Sequence, residues 1–157
     1  MLKNIVSIKY LRGFSILVLY LSGVCQSGDY LQAVEAYKEG RYDFAVQTWT
    51  DLAKLGDPKS QRELAFMYQQ GKGIQQDYKK AVFWYTKSAE NGNQSAQFNL
   101  ATMYRFGKGV IVDGAKAAKW YLAAANSGHE WAQMELGTMF RSGEGVQKNY
   151  NKAFQIA

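Results

Sequence analysis

This chain repeats itself every thirty-six residues, and that period constrains its fold more than any other feature. Setting Gln61, Gln97 and Gln133 in register brings a whole series of columns into line. Leu64, Leu100 and Leu136 align, as do Met67, Met103 and Met139, then Tyr68, Tyr104 and Phe140. A glycine pair follows in each copy: Gly71 and Gly73, Gly107 and Gly109, Gly143 and Gly145. Asp77, Asp113 and Asn149 share the next column, and Trp84-Tyr85 matches Trp120-Tyr121. A period of this length marks stacked supersecondary units, none of which can bury its apolar face alone. A weaker copy precedes them, in which Tyr42, Ala45, Trp49, Ala53 and Gly56 keep the register but the Gly-x-Gly loop is missing. Such degeneracy is expected of a terminal capping unit.

Each unit reads as two helices. Leu64, Ala65, Met67 and Tyr68 fall on one helical face. Gly71 and Gly73 end that helix, since glycine tolerates the left-handed backbone of a helix C-cap. Asp77, Asp113 and Asn149 are placed to cap the second helix, whose buried face is Ala81, Trp84, Tyr85, Ser88 and Ala89. Gly92 and Gly128 close it. Asp57, Asn93 and His129 stand just before the first helix of each unit, and Asp57-Pro58 is an N-cap followed by proline at the first helical position. The expected fold is therefore all-α, an α-solenoid of antiparallel helix pairs. Its units are a degenerate cap over residues 28–56 and repeats over 57–92, 93–128 and 129–157. The third repeat reaches Ala157 in the middle of its second helix, and that open edge is expected to mediate self-association.

The columns resemble the Sel-one-like repeat family, a relative of the tetratricopeptide repeat. The pattern stands almost whole from Ala96 to Gly128: Ala96-Gln97, Leu100-Ala101, Tyr104, Gly107, Gly109-Val110, Asp113, Ala117, Trp120-Tyr121, Ala124-Ala125 and Gly128. The resemblance covers roughly residues 29–157 and implies a right-handed superhelix. It further implies a non-enzymatic adaptor for a protein or peptide, in a family with many exported bacterial members.

Residues 1–12 carry Lys3, Lys9 and Arg12 without an acid, and an apolar run follows from Phe14 to Leu21. Small or polar residues come next: Ser22, Gly23, Cys25, Ser27. This order is that of a secretory signal peptide over residues 1–27, predicting export to the periplasm or the medium. Cys25 offers a lipid anchor as the alternative, although Val24 separates it from Leu21-Ser22-Gly23. The formal charge of +6 shrinks to +3 beyond residue 25, with sixteen cations against thirteen acids interspersed along the chain. No basic stripe for nucleic acid is evident.

One histidine and one cysteine leave no Cys/His zinc site, and no motif calls for a cofactor. The repeated Gly-Lys-Gly ends a helix rather than opening one, so it is not a phosphate loop. His129 shares a column with Asp57 and Asn93 and reads as a helix start. Trp84, Tyr85, Trp120 and Tyr121 recur and read as core. The columns that the repeat leaves free are more informative. In the related tetratricopeptide fold the first helices line a concave groove, and by that analogy the groove residues here are Arg62, Phe66, Gln69, Phe98, Thr102, Arg105, Phe106, Met134, Thr138 and Arg141, with Trp131 beside them. Gln70 and Ser142 share the Phe106 column. Aromatics interleaved with arginines suit a peptide of acidic character. Two rivals belong to other classes. One is β-lactam binding or hydrolysis, as in a cysteine-rich branch of the family, but the repeats here hold no cysteine and no Ser-x-x-Lys set. The other is a peptidoglycan- or glycan-binding module using Trp131 and the groove phenylalanines.

Overall fold

The computed structural model describes residues 24–156, with side chains from Asp29 to Gln155 other than that of Phe154. The signal-peptide and Cys25 readings lie outside the described side chains. Eight helices are described: α1 Val24–Lys38, α2 Tyr42–Lys54, α3 Pro58–Gln70, α4 Tyr78–Glu90, α5 Gln94–Phe106, α6 Gly114–Asn126, α7 Glu130–Ser142 and α8 Tyr150–Ile156. Each packs chiefly on the helix before it and the helix after it, which is the linear architecture of an α-solenoid.

The helix boundaries follow from capping chemistry. Asp57, Asn93 and the Nδ1 atom of His129 accept the backbone N–H of Ser60, Ala96 and Ala132 at 2.7, 3.0 and 3.3 Å. Asp77, Asp113 and Asn149 do the same for Lys80, Lys116 and Lys152, at 3.0, 2.9 and 2.9 Å. Each bond satisfies one of the donors that a helix start leaves orphaned. The Asp77 and Asp113 carboxyls are held below the usual carboxylate range, chiefly by that backbone N–H. A lowered folded-state pKa contributes stability that is complete above the unfolded value near 3.8 and is lost as the pH falls through the folded one. The double variant Asp77→Asn/Asp113→Asn, which copies Asn149, should keep both caps and soften the loss of stability in strong acid. Thermal melts from neutral to strongly acidic pH would check this; an equally steep acid decline in variant and parent would contradict it.

The two glycines of each loop have different tasks. Gly71, Gly107 and Gly143 are left-handed C-caps at φ 69°, 68° and 80°. Gly73, Gly109 and Gly145 instead lie against the start of the preceding second helix. A Cβ on Gly109 would come within 2.5 Å of the Tyr78 carbonyl, and one on Gly145 would collide with the backbone of Gly114. The second glycine is thus where one repeat locks onto the last.

The core is a row of clusters, each shared between consecutive pairs. Ala33, Ala36, Ala45, Trp49 and Ala53 of the first pair close over Leu64 and Met67 of α3. Ala65, Ala81, Tyr85 and Ala89 then meet Ala96, Leu100 and Met103 of α5. Ala101, Ala117, Tyr121 and Ala124 meet Ala132, Leu136 and Met139 of α7. The Leu and Met columns of each first helix therefore face backward and its Ala column forward. When α1 and α3 are aligned on their last residues, Lys38 and Gln70, the backward positions of α1 are Gln32 and Glu35, both exposed. Polar residues there stand where the later first helices carry the Leu and Met that pack on the pair before them.

The Trp-Tyr pairs are not uniformly core. Tyr85 and Tyr121 are fully buried, whereas Trp84 and Trp120 are half-buried. Trp84 packs against the first two clusters and Trp120 against the last two, so the indoles cover the seams between repeats.

Candidate functional site

Polar side-chain contacts join the first helices α1 to α3 and α5 to α7 across repeats, and others tie a first helix to the second helix of its own pair. Tyr30 on α1 donates from its hydroxyl to Glu63 on α3 at 2.9 Å, and burial with the adjacent carboxylate raises its pKa to about 12. Tyr85 donates to Gln69 at 2.8 Å, and burial holds its hydroxyl protonated. Tyr30, Lys59, Arg62 and Asn93 line an open hollow of ≈ 570 Å³ toward the start of these helices.

The predicted groove residues divide into engaged and free groups. Phe66 is half-buried against the first cluster, and Gln69 is bound to Tyr85. Phe98 stacks on the His129 ring, with centroids 4.6 Å apart, and packs on Tyr121. Thr102 bonds the Phe98 carbonyl and the Tyr121 hydroxyl, each at 3.0 Å. Thr138 bonds the Met134 carbonyl at 3.0 Å. These side chains form the floor. Trp131 and Met134 are different: they lie one turn apart on α7, 64% and 47% exposed. Phe106 is exposed as well, at the far end of α5.

The arginines do not present the free positive charge expected from the sequence. Arg62 is ion-paired with its neighbour Glu63. Arg105 is largely buried and forks onto Glu144 with two bonds of 2.9 and 2.8 Å, while its other nitrogen reaches Glu135 at 2.5 Å. The Glu144 and Glu135 bonds raise the guanidinium pKa further. This arginine ties α5 to α7 and to the loop that follows α7. Arg141 is exposed, touching Thr138 at 3.1 Å, and is the one predicted arginine in no described ion pair.

Sequence reasoning leaves several groups without a role. The Gln column was used only for register, yet Gln61 and Gln97 donate to the carbonyls of Ala53 and Ala89 at 3.1 Å, and Gln133 to Ala125 at 3.5 Å. Each amide crosses from one repeat to the last turn of the one before. The Lys80, Lys116 and Lys152 ammoniums lie 5.3, 5.3 and 5.6 Å from the ring centres of Tyr68, Tyr104 and Phe140, which explains that lysine column. Recurrence itself was the signal in both cases. Glu135 and Glu144 gave none, because their partner lies on another repeat in columns that do not recur. Among the described residues, no group of three His, Cys, Asp or Glu side chains could hold a metal ion.

The Sel1 repeat matches the chain over residues 58–93, 94–129 and 132–156. The solved structure of a Sel1 repeat protein from Oxalobacter formigenes is 35% identical and superposes with a TM-score of 0.78, covering 81% of this chain and 52% of that one. The protective antigen c5321 of uropathogenic Escherichia coli, described as displaying an SLR fold, is 32% identical with a TM-score of 0.79, covering 83% of this chain and 29% of that one. The chain thus spans about half the length of the first relative and under a third of the second. Cysteine rich protein B of Helicobacter pylori is 21% identical with a TM-score of 0.56, covering 68% of this chain and 91% of that one, a likeness of fold alone. No curated protein matches the chain significantly.

Proposed function

The chain belongs to the Sel1 repeat family, whose members are generally protein-interaction scaffolds, and from that premise we propose that it is a non-enzymatic adaptor holding a protein or peptide partner against its first-helix face. The observation that carries this reading is Trp131 with Met134. Trp131 takes the place of Ser95 one repeat earlier, and Met134 that of Phe98. Both are exposed over the described residues, and exposed aromatic and Met side chains are favoured anchors of interfaces. With Arg62 and Arg105 already neutralised by glutamates, the partner is chosen by an apolar anchor rather than by acidity. Arg141, two turns along the same face of α7 from Met134, remains to meet a single carboxylate. The leader-like residues 1–27 support an address in the bacterial envelope.

The test is affinity capture from envelope extract, followed by titration of the purified partner. Trp131→Ser/Met134→Ala should weaken binding at least about tenfold, the scale of a lost anchor. Helicity should not change, since both side chains are exposed. Arg105 is unsuitable for this purpose because its removal would disturb α7 itself. Undiminished affinity in the double variant would overturn the assignment.

A further inference from the structure

The three repeats act as controls for one another, and one surface of the second departs from both neighbours. At the loop edge, where first helices end and second helices begin, repeat 1 carries Gln70, Gln75 and Gln76. Repeat 3 carries Ser142, Gln147 and Lys148 at the same columns. Repeat 2 carries Phe106, Ile111 and Val112, exposed by 60, 91 and 62%. The change also has a structural cost. Gln76 donates to the Gln69 carbonyl at 2.8 Å and to the Tyr78 hydroxyl at 3.2 Å. Val112 and Gly114 stand in place of Gln76 and Tyr78 and can make neither bond. Three large exposed apolar side chains thus replace polar ones at this loop tip; Phe106 meets the Arg105 guanidinium 5.5 Å from its ring centre, while Ile111 is almost wholly exposed.

The surroundings of this tip are cationic. Charges interspersed along the sequence are gathered here by the fold. The equivalent windows 71–80, 107–116 and 143–152 hold seven lysines against three acids. All three acids are already paired, Asp77 with Lys80, Asp113 with Lys116 and Glu144 with Arg105, which leaves Lys72, Lys79, Lys108, Lys148 and Lys152 in no described ion pair. Lys108 lies in the tip loop itself, and Lys72 and Lys148 hold the flanking loops. At the opposite edge, Asp51, Asp57, Glu90 and Glu130 outnumber Lys54, Lys59 and Lys87.

We propose that the loop edge is a peripheral membrane-docking surface: Phe106, Ile111 and Val112 insert at the acyl boundary of an anionic lipid bilayer while the surrounding lysines engage its headgroups. A convex apolar tip ringed by lysines suits an interface that offers hydrocarbon beneath negative charge. A polyanion alone would leave Ile111 in water. Engagement is superficial, since no described helix is long and apolar enough to cross a membrane. This surface is separate from the α7 anchor, so it stands or falls independently of the adaptor reading.

The experiment uses the full chain with Cys25→Ser and a single environment-sensitive fluorophore on Ile111→Cys. Matched probes go on Gln75→Cys and Gln147→Cys in the flanking repeats. A local probe is needed because the apolar residues 14–21 could carry the chain to vesicles by themselves. With vesicles containing phosphatidylglycerol, the probe at position 111 should shift to the blue and brighten at least about twofold on entering the bilayer. Probes at 75 and 147 should respond little, and salt should weaken the response. Adding Phe106→Gln/Val112→Gln, which copies the polar tip of repeat 1, should abolish it while circular dichroism stays unchanged. No shift at position 111, or equal shifts at all three positions, overturns the proposal. An equal response to purely zwitterionic vesicles overturns the anionic assignment. Silence with every vesicle leaves the tip to a protein partner and overturns the lipid reading.

Discussion

Replacing Gly109 by alanine should destabilise the fold by about 3–4 kcal/mol, among the largest losses a single surface position can give. The same change at Gly92 should cost only about 1–2 kcal/mol. Both glycines have positive φ, +76° and +82°, so both substitutions carry the strain of a left-handed L-residue. Only Gly109 adds a collision. Its new Cβ would lie 2.5 Å from the Tyr78 carbonyl carbon and oxygen, which are backbone atoms at the start of α4 and cannot rotate away. At Gly92 nothing lies within 4 Å. To accommodate a methyl group at position 109, the whole loop of repeat 2 must lift from repeat 1, opening a seam that Trp84 now covers. Urea unfolding of the two variants beside the parent gives the comparison directly. Similar losses at both positions would mean that conformational strain, not the close approach, explains the Gly-x-Gly pattern.

That pattern shows where sequence reasoning succeeds in a repeat protein and where it stops. Columns that recur report contacts that recur, so the helix pairs, the caps at Asp57, Asn93, Asp77 and Asp113, and the buried Leu, Met and Ala positions were legible. The caps were legible because a side-chain oxygen three residues from the N–H it serves is local chemistry. The division of labour within each glycine pair was not, since it depends on a neighbour some thirty residues away. The same holds for the Trp-Tyr pair: one period places both residues on the second helix, but only the packed structure shows that tyrosine fills a core while tryptophan spans two. The candidate face was least legible of all. Arg105 and Glu144 are thirty-nine residues apart and belong to no shared column, so nothing in the sequence paired them. Their pairing changes the chemistry expected of a partner, from acidic to apolar. Both proposals rest instead on departures from the repeat, at Trp131 and Met134 on one face and at Phe106, Ile111 and Val112 on the loop edge.

Leu100→Ala should cost about 3 kcal/mol, within the range for a buried leucine cut to alanine, and the loss should fall unevenly along the chain. Leu100 is fully buried and belongs to α5, yet its cluster is Ala65, Ala81 and Tyr85 of the preceding repeat. The cavity would therefore open between repeats rather than inside one. In a linear array, stability is close to a sum of unit terms and nearest-neighbour interface terms. Removing one interface term leaves α1 to α4 with their own cluster around Trp49, Leu64 and Met67. It leaves α5 to α8 with the cluster around Tyr121, Leu136 and Met139, whose last helix is only seven residues long over the described chain. Neither block then supports the other across the seam. Native-state hydrogen exchange should then show α1 to α4 and α5 to α8 opening as separate units at different free energies, whereas in the parent the two blocks open together. Tyr121→Ala, a cavity inside the second block, should lower the opening free energy of α5 to α8 but leave the coupling across the Gln97–Ala89 bond in place. If Leu100→Ala accelerates exchange equally in all helices, the clusters form one cooperative unit and the solenoid cannot be divided at this seam.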